Sequence, residues 1–208
     1  PEAMCSIDKN AKYFSKNSED GKYDTVAIGP GIGTHPTTIK AFENLLAQVK
    51  TPIIMDADAL NILSKKKELQ KLVPKNSILT PHPKEFERLV GAWTNDFERL
   101  TLQQNFSKKN KVIVILKGAN TSISDINGCV YFNSTGNAGM ATAGTGDVLT
   151  GIITSLLAQQ YAPLDAAIMG VYLHGLAGDN ALQQQSMESL IASDIIENIG
   201  AAFKMIKN

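Results

Sequence analysis

Apolar and polar positions along the chain follow two alternating rhythms. Short, largely apolar runs end in segments that carry glycine, aspartate or proline. Between them lie longer stretches in which apolar residues recur about every three to four positions, the period of a helix with one buried face. Tyr23 to Ile28 reads as a strand that ends in Gly29-Pro-Gly-Ile-Gly33. Thr37 to Lys50 predicts a helix with Ile39, Phe42, Leu45, Leu46 and Val49 on one face. Pro52 to Met55 is apolar throughout, as a strand buried on both faces must be. It runs into Asp56-Ala-Asp-Ala-Leu60 and a lysine-rich helix closed by Pro74. Ser77 to Leu79 is a third strand, ending in Thr80-Pro-His-Pro83, and one or two helices fill Lys84 to about Lys109. Lys111 to Leu116 is the clearest strand and ends in Lys117-Gly-Ala-Asn-Thr121.

The pattern then changes. Thr121 to Asp125 and Cys129 to Asn133 flank Ile126-Asn127-Gly128, and Asn-Gly between two β-like runs signals a hairpin. A glycine-rich stretch follows, then three helices at about Gly146 to Gln160, Pro163 to Gln184 and Ser193 to Lys207. Strand-helix alternation predicts an α/β fold: a mostly parallel sheet with right-handed crossovers, helices on both faces, and a β-hairpin near 121–133. Residues 1–208 read as a single domain, with no repeat, linker or low-complexity segment. Such sheets bind ligands beyond the carboxyl ends of their strands. Four chemically unusual segments, GPGIG, DAD, TPHPKE and KGANT, end four successive predicted strands, so the fold gathers them on one rim.

Composition narrows the function. The chain has 208 residues, 43% hydrophobic and 19% charged, enough for a sizeable core. Twenty basic and twenty acidic residues give a formal net charge of zero, which argues against a general nucleic-acid or membrane-surface binder and leaves a local basic patch open. Lys65-Lys66-Lys67 reads as the solvated face of a helix. Cys5 and Cys129 have no paired spacing and read as free thiols in a reducing compartment. No run has the length of a membrane span and no signal peptide is visible, so a cytoplasmic location is the expectation. The chain starts at Pro1 without methionine, and residues 1–20 are polar and patternless. It is expected to be a piece that lacks upstream sequence.

Asn137 to Gly151 holds four glycines and one acid, Asp147, before the apolar run Val148 to Leu157. A glycine loop that opens a helix presents unpaired N–H groups and the positive end of the helix dipole, an anion site. A carboxylate there suits a base that takes a proton while the N–H groups hold developing charge. The plainer reading is a glycine turn with Asp147 as helix cap. Gly29 to Gly33 lacks the third glycine of a dinucleotide fingerprint, since position 34 is Thr34, and no Walker A sequence is present. It fits either close ligand approach or a tight strand-to-helix turn. Asp56 and Asp58 fit a sugar or hydrated-metal contact, or helix capping by Asp58, which is favoured. His82, stiffened between Pro81 and Pro83, is aimed either into a cleft or into an exposed turn. Glu85 fits a hydrated Mg²⁺ or an ordinary first-turn glutamate. Lys117 to Thr121 suit a nucleotide phosphate or ribose, or a strand-end turn. His35 has a weaker claim, and His174, among Tyr172, Leu173 and Leu176, reads as a packed histidine.

Taken together, GPGIG, DADALN, LTPHPKEFERL, KGANT and NAGMATAGTGDVLTG, in this order, resemble the bacterial NAD(P)H-hydrate dehydratases, the carbohydrate-kinase-like half of the YjeF-related proteins. The resemblance covers about residues 1 to 200. GTGD alone resembles only the wider ribokinase-like superfamily; HPKEF with KGANT resembles its ADP-dependent dehydratase branch. It implies a ribokinase-like three-layer sandwich. It also implies an enzyme that returns hydrated NADH or NADPH (NADHX, NADPHX) to NAD(P)H while ADP, or ATP, is cleaved with Mg²⁺. By the resemblance Asp147 is the base and a substrate contact, and Gly33 and His82 contact the hydrated cofactor. Lys117, Gly118, Ala119, Asn120, Thr121 and Gly146 hold the nucleotide. The backbone of Ala143, Gly144, Thr145 and Gly146 forms the anion hole, and Glu85 helps place Mg²⁺. The family also implies a homo-oligomer, with a tetramer as one form and the apolar helix from Pro163 to Gln184 as an interface. It implies pairing with an NAD(P)HX epimerase, and a further strand, loop, helix and strand ahead of Pro1. Two other functions remain open: a ribokinase-like kinase of a small molecule such as a vitamin precursor, and a nucleotide-binding remnant without turnover.

Overall fold

The protein is described by a computed structural model that covers residues 4–16 and 23–207. Residues 1–3 and 17–20 of the patternless start lie outside it. Four short apolar strands, β1 (Ala27–Ile28), β2 (Ile54–Met55), β3 (Ile78–Leu79) and β4 (Ile113–Leu116), pair in parallel and in chain order. The hairpin strands β5 (Ser122–Ser124) and β6 (Val130–Phe132) extend the same sheet antiparallel, giving the order β1-β2-β3-β4-β5-β6. Register alternates the side chains between two faces. Ile54, Ile78 and Ile113 align on one face with Ile115 and Ile123; Met55, Leu79 and Val114 align on the other with Leu116.

Each face is covered by its own helices. α1 (Pro36–Gln48), α2 (Ala57–Lys65), α3 (Pro83–Val90) and α4 (Asp96–Asn110) bring Phe42, Leu46, Leu60, Leu63, Phe86 and Phe106 onto the Met55 face. α5 (Thr145–Ala158) and α6 (Pro163–Ala181) bring Leu149, Ile153, Leu156 and Val171 onto the Ile54 face, and α7 (Ala192–Lys207) packs on α6 through Leu173, Ala177, Ile195 and Ala202. This is the three-layer α/β sandwich the sequence predicts, with its hairpin in place.

The differences have local causes. β1 keeps only two residues of the predicted Tyr23 to Ile28 strand. The ladder to its neighbour runs from the N–H of Asp56 to Ile28 and of Ile54 to Val26, and the next donor in that step would be Pro52, which has no N–H; Thr25 meets the Pro52 carbonyl through its hydroxyl at 3.4 Å. The stretch from Lys84 to Lys109 divides in two. Gly91, at φ 102°, ends α3, and the Asn95 side chain starts α4 by accepting the Glu98 N–H at 2.9 Å. α6 is apolar because α5 and α7 cover it, with Ala166, Ala167, Leu173 and Ala177 fully buried. Tyr172 stays exposed on the same helix. Buried Gln103 of α4 donates to the carbonyls of Val114 and Ser122, both at 3.0 Å, and accepts the Ser122 hydroxyl at 2.7 Å. One side chain thus ties the helix to the place where the sheet turns from parallel to antiparallel.

Candidate functional site

The loops that leave β1 to β4 are laced edge to edge. Asp56 donates its N–H to Ile28 at 3.1 Å, Thr80 donates to Met55 at 3.1 Å, and Lys117 donates to Pro81 at 2.9 Å. Gly29 (φ 141°) is packed so tightly that a β-carbon there would collide with the Asp56 carbonyl. Its absence of a side chain is what lets the first loop cross the second. Gly33 donates its N–H to Asp58 Oδ2 at 2.9 Å; Asn61 donates to Asp58 Oδ1 at 3.3 Å and accepts from Arg88 at 2.8 Å. Asp58 therefore braces the GPGIG loop. The cap of α2 is Asp56, whose Oδ1 accepts the Ala57 N–H at 2.8 Å, and this corrects the assignment of capping to Asp58. Asp56 stands immediately before α2, where a side-chain oxygen can meet a donor that the helix leaves unpaired.

The glycine loop is anchored on α6. Asp179 accepts the Gly136 N–H at 2.8 Å and the Asn137 side-chain amide at 3.0 Å. An unforeseen 3₁₀ turn, Ala138–Met140, follows. The buried Thr145 hydroxyl closes the loop, reaching the carbonyls of Met140 at 2.9 Å and Thr142 at 3.0 Å. α5 is capped by Gly144 in the left-handed region (φ 88°), with no side-chain cap, and its first helical bond runs from Val148 to the Gly144 carbonyl at 3.1 Å. The N–H groups of Thr145, Gly146 and Asp147 lie ahead of that bond and find no acceptor within the helix. Asp147 is not the cap. It stands exposed in the first turn, and its carboxylate makes no hydrogen bond among the described residues. A negative charge there is favoured by the helix dipole.

Beside this turn lies a polar cluster that joins three segments. Lys117 Nζ is 2.9 Å from Asp56 Oδ1, and the Thr150 hydroxyl donates to Asp56 Oδ2 at 3.2 Å. A β-carbon on Gly146 would lie 3.3 Å from Lys117 Nζ, so the ammonium rests against the start of α5. Beyond Lys117 the chain makes an open turn. Gly118, Ala119 and Asn120 are exposed, and the Thr121 hydroxyl is 3.1 Å from the Gly118 carbonyl and 3.3 Å from its N–H. Lys117 and Gly146 are thus brought together. Asp56 is 2% exposed, which removes it as a direct sugar or metal contact. Thr150 escaped the sequence reading; its spacing of four from Gly146, one helical turn, was the available signal.

His82 and Glu85 serve each other. His82 caps α3, its Nδ1 accepting N–H groups of Lys84 at 3.1 Å and Glu85 at 3.4 Å, while Glu85 Oε2 accepts the His82 N–H at 2.8 Å. His82 Nε2 lies 3.4 Å from Glu85 Oε1. Glu85 is buried with Oε2 taken by the His82 N–H, and among the described residues no three His, Cys, Asp or Glu side chains group as metal ligands. A magnesium ion caged by side chains does not fit these residues, whereas a hydrated ion on the nucleotide phosphates needs no such cage. Gly33 and His82 make no hydrogen bond to the Asp147 loop among the described residues. His35, the cap of α1, stacks on Tyr13 with centroids 3.7 Å apart. His174 lies beneath the loop: burial pushes its pKa down to about 4, the Thr145 backbone pulls it up, and the Lys117 charge lowers it further. Its Nε2 is sealed from solvent and has no hydrogen-bond partner among the described residues.

Known proteins resemble this chain in sequence and in fold. Residues 1–200 match the carbohydrate-kinase-like family described as NAD(P)H-hydrate dehydratase. The chain is 42% identical over 176 residues to the bifunctional NAD(P)H-hydrate repair enzyme of Moorella thermoacetica, a match that covers 84% of this chain and 33% of that protein. It is 41% identical over 157 residues to the ADP-dependent (S)-NAD(P)H-hydrate dehydratase of Neisseria meningitidis, covering 73% of this chain and 53% of that one. The chain thus spans about a third to a half of the length of these relatives. Among solved structures, the ADP/ATP-dependent NAD(P)H-hydrate dehydratase of Bacillus subtilis, co-crystallised with ATP/Mg²⁺, superposes with a TM-score of 0.79 at 29% identity, over 92% of this chain and 68% of that one. With sheet, glycine loop and strand-end segments all in their places, and a family match over nearly its whole length, the chain belongs to the NAD(P)H-hydrate dehydratase family.

Proposed function

We propose that the chain acts as a single catalytic domain that restores hydrated NADH or NADPH to NAD(P)H at the expense of ADP or ATP. The observation that carries this reading is Asp147: exposed, without a hydrogen-bond partner among the described residues, and set in the first turn of a glycine-capped helix. A carboxylate with no structural task beside unpaired N–H groups suits a base whose proton transfer creates an anion next to it. In the proposed reaction Asp147 takes the proton of the nicotinamide ring hydroxyl. That oxygen attacks the terminal phosphorus, and AMP leaves when the nucleotide is ADP. The phosphorylated ring then loses inorganic phosphate, with cleavage of the ring C–O bond and loss of a ring proton, and the double bond returns. The step needs a nucleotide because hydroxide is a poor leaving group and phosphate a good one. Backbone N–H groups from Ala143 to Gly146 would hold the charge during transfer. Lys117 to Thr121 and Gly146 would bind the nucleotide, and Gly33 and His82 the hydrated cofactor.

Magnesium would sit on the phosphates of the nucleotide, with Glu85, whose Oε2 accepts the His82 N–H, helping to place it through water. Both cysteines are free and exposed, which suits a reducing, cytoplasmic setting, and among the described residues no helix is long and apolar enough to cross a membrane. Association into a homo-oligomer and work alongside an epimerase of the hydrated cofactor complete the proposal.

The test is the near-ultraviolet absorbance of reduced nicotinamide after mixing the chain with NADHX, Mg²⁺ and ADP, then with ATP. Growth that requires nucleotide supports the reading, and the better nucleotide sets its co-substrate. A phosphorylated product that accumulates without recovery of absorbance replaces the dehydratase with a small-molecule kinase.

A further inference from the structure

Asp56 is a buried carboxylate in a position where sequence suggested a ligand contact. Burial of an ion is costly unless partners replace its water. Three do so: the Ala57 N–H at 2.8 Å, the Lys117 ammonium at 2.9 Å and the Thr150 hydroxyl at 3.2 Å. The partners come from three separate elements, the start of α2, the end of β4 and the second turn of α5. At 2% exposure Asp56 itself meets no ligand.

The pair is asymmetric. An ammonium has three protons to donate. Asp56 is the one acceptor that Lys117 finds among the described residues, and the Lys117 side chain keeps 22% of its exposure. Its remaining donors lie against Gly146, where the unpaired N–H groups of α5 begin. A buried anion thus holds an accessible cation at the anion-binding end of a helix. A free lysine would sample many rotamers on its four-carbon stem and lose entropy on meeting phosphate. The tie removes part of that loss in advance. Thr150 sits one helical turn after Gly146 and ties the same carboxylate to α5, so the cation and the loop keep a fixed separation.

We propose that Asp56 is a positioning residue for nucleotide phosphate, acting through Lys117 and, by way of Thr150, on the first turn of α5. This rests on the nucleotide-dependent reading above but not on the dehydration itself.

The experiment is a double-mutant cycle read by ADP binding at equilibrium, by calorimetry, without hydrated cofactor. Thermal midpoints are measured in parallel. Asp56→Asn and Lys117→Met should each weaken ADP about tenfold, and the double variant should bind no worse than Lys117→Met alone. Thr150→Val, which removes one hydroxyl and keeps the shape, should weaken ADP severalfold and serves if Asp56→Asn does not fold. Full additivity in the double variant overturns the proposal, because Asp56 would then act independently of Lys117. So does wild-type ADP affinity in folded Asp56→Asn or in Thr150→Val with a lowered thermal midpoint, which leaves the cluster a purely structural role. A wild-type chain that binds neither ADP nor ATP also overturns it. Coupled ADP binding in a chain that never restores reduced nicotinamide keeps the proposal and removes the dehydratase.

Discussion

Lowering the pH should destabilise this protein through His174 in particular. The unfolded chain takes up that proton at pH 6.5, the ordinary imidazole value, whereas the folded chain takes it up only at about 4, because the ring is desolvated under the glycine loop and faces the Lys117 charge. Protons therefore bind the unfolded state more tightly, and the stability that neutral His174 permits is present above pH 6.5 and lost as pH falls towards 4. The two pKa values correspond to a loss of roughly 3 kcal/mol in the acid limit, and about 2 kcal/mol of it should be lost between pH 7 and pH 5. Urea unfolding of wild type and His174→Leu at both pH values measures it, since the difference between the two proteins cancels every other titrating group. The wild type should lose about 2 kcal/mol more than the variant over that interval. Equal losses in the two proteins would refute the reasoning and show that the ring reaches water or an unrecognised partner.

Other expectations address separate parts of the molecule. Asp147→Asn should lower turnover by roughly 10²- to 10⁴-fold while ADP binding stays near wild type; unchanged turnover removes the residue as base. Gly29→Ala forces a β-carbon into the Asp56 carbonyl and should cost roughly 2 kcal/mol or more. Gly31→Ala, equally left-handed (φ 69°) but with nothing nearby, should cost only about 1–2 kcal/mol, and equal thermal midpoints for the two variants would contradict the packing argument. Gln103→Leu strands the buried Ser122 hydroxyl and two carbonyl partners and should cost roughly 2–3 kcal/mol in a urea titration; an unchanged midpoint would show that water replaces the amide.

Much of the fold was legible because strand and helix periods are local properties. Lys111 to Leu116, an apolar run between two lysines, reads as a strand in isolation, and Ile113–Leu116 is one. The division at Gly91 and the shortening of β1 opposite Pro52 follow from backbone chemistry that the sequence displays, but they depend on which chain lies alongside. The site was legible as a set of segments and not as a wiring. Asp56 and Asp58 sit two positions apart in one loop, yet one caps a helix and grips Lys117 while the other braces Gly33. The bond from Thr150 to Asp56 spans 94 positions, and no periodicity carries that information. His82 shows the converse. Its stiff setting between prolines was plain, but its use as a helix cap required the three-dimensional position of the Glu85 backbone.

Strand order that follows chain order has a bearing on synthesis. As the chain leaves the ribosome, each strand meets a neighbour already made, and α1 to α4 cover one face as they appear. The opposite face, with Ile54, Ile78, Ile113, Ile115 and Ile123, waits for helices that begin at Thr145. At ordinary translation rates that interval is roughly 5 to 20 seconds, during which an isoleucine-lined surface faces water. A nascent chain of this kind is a natural client for holding chaperones. Asp147 and the glycine-capped start of α5 emerge with the covering helices, so that turn takes its place only as the face is being shielded.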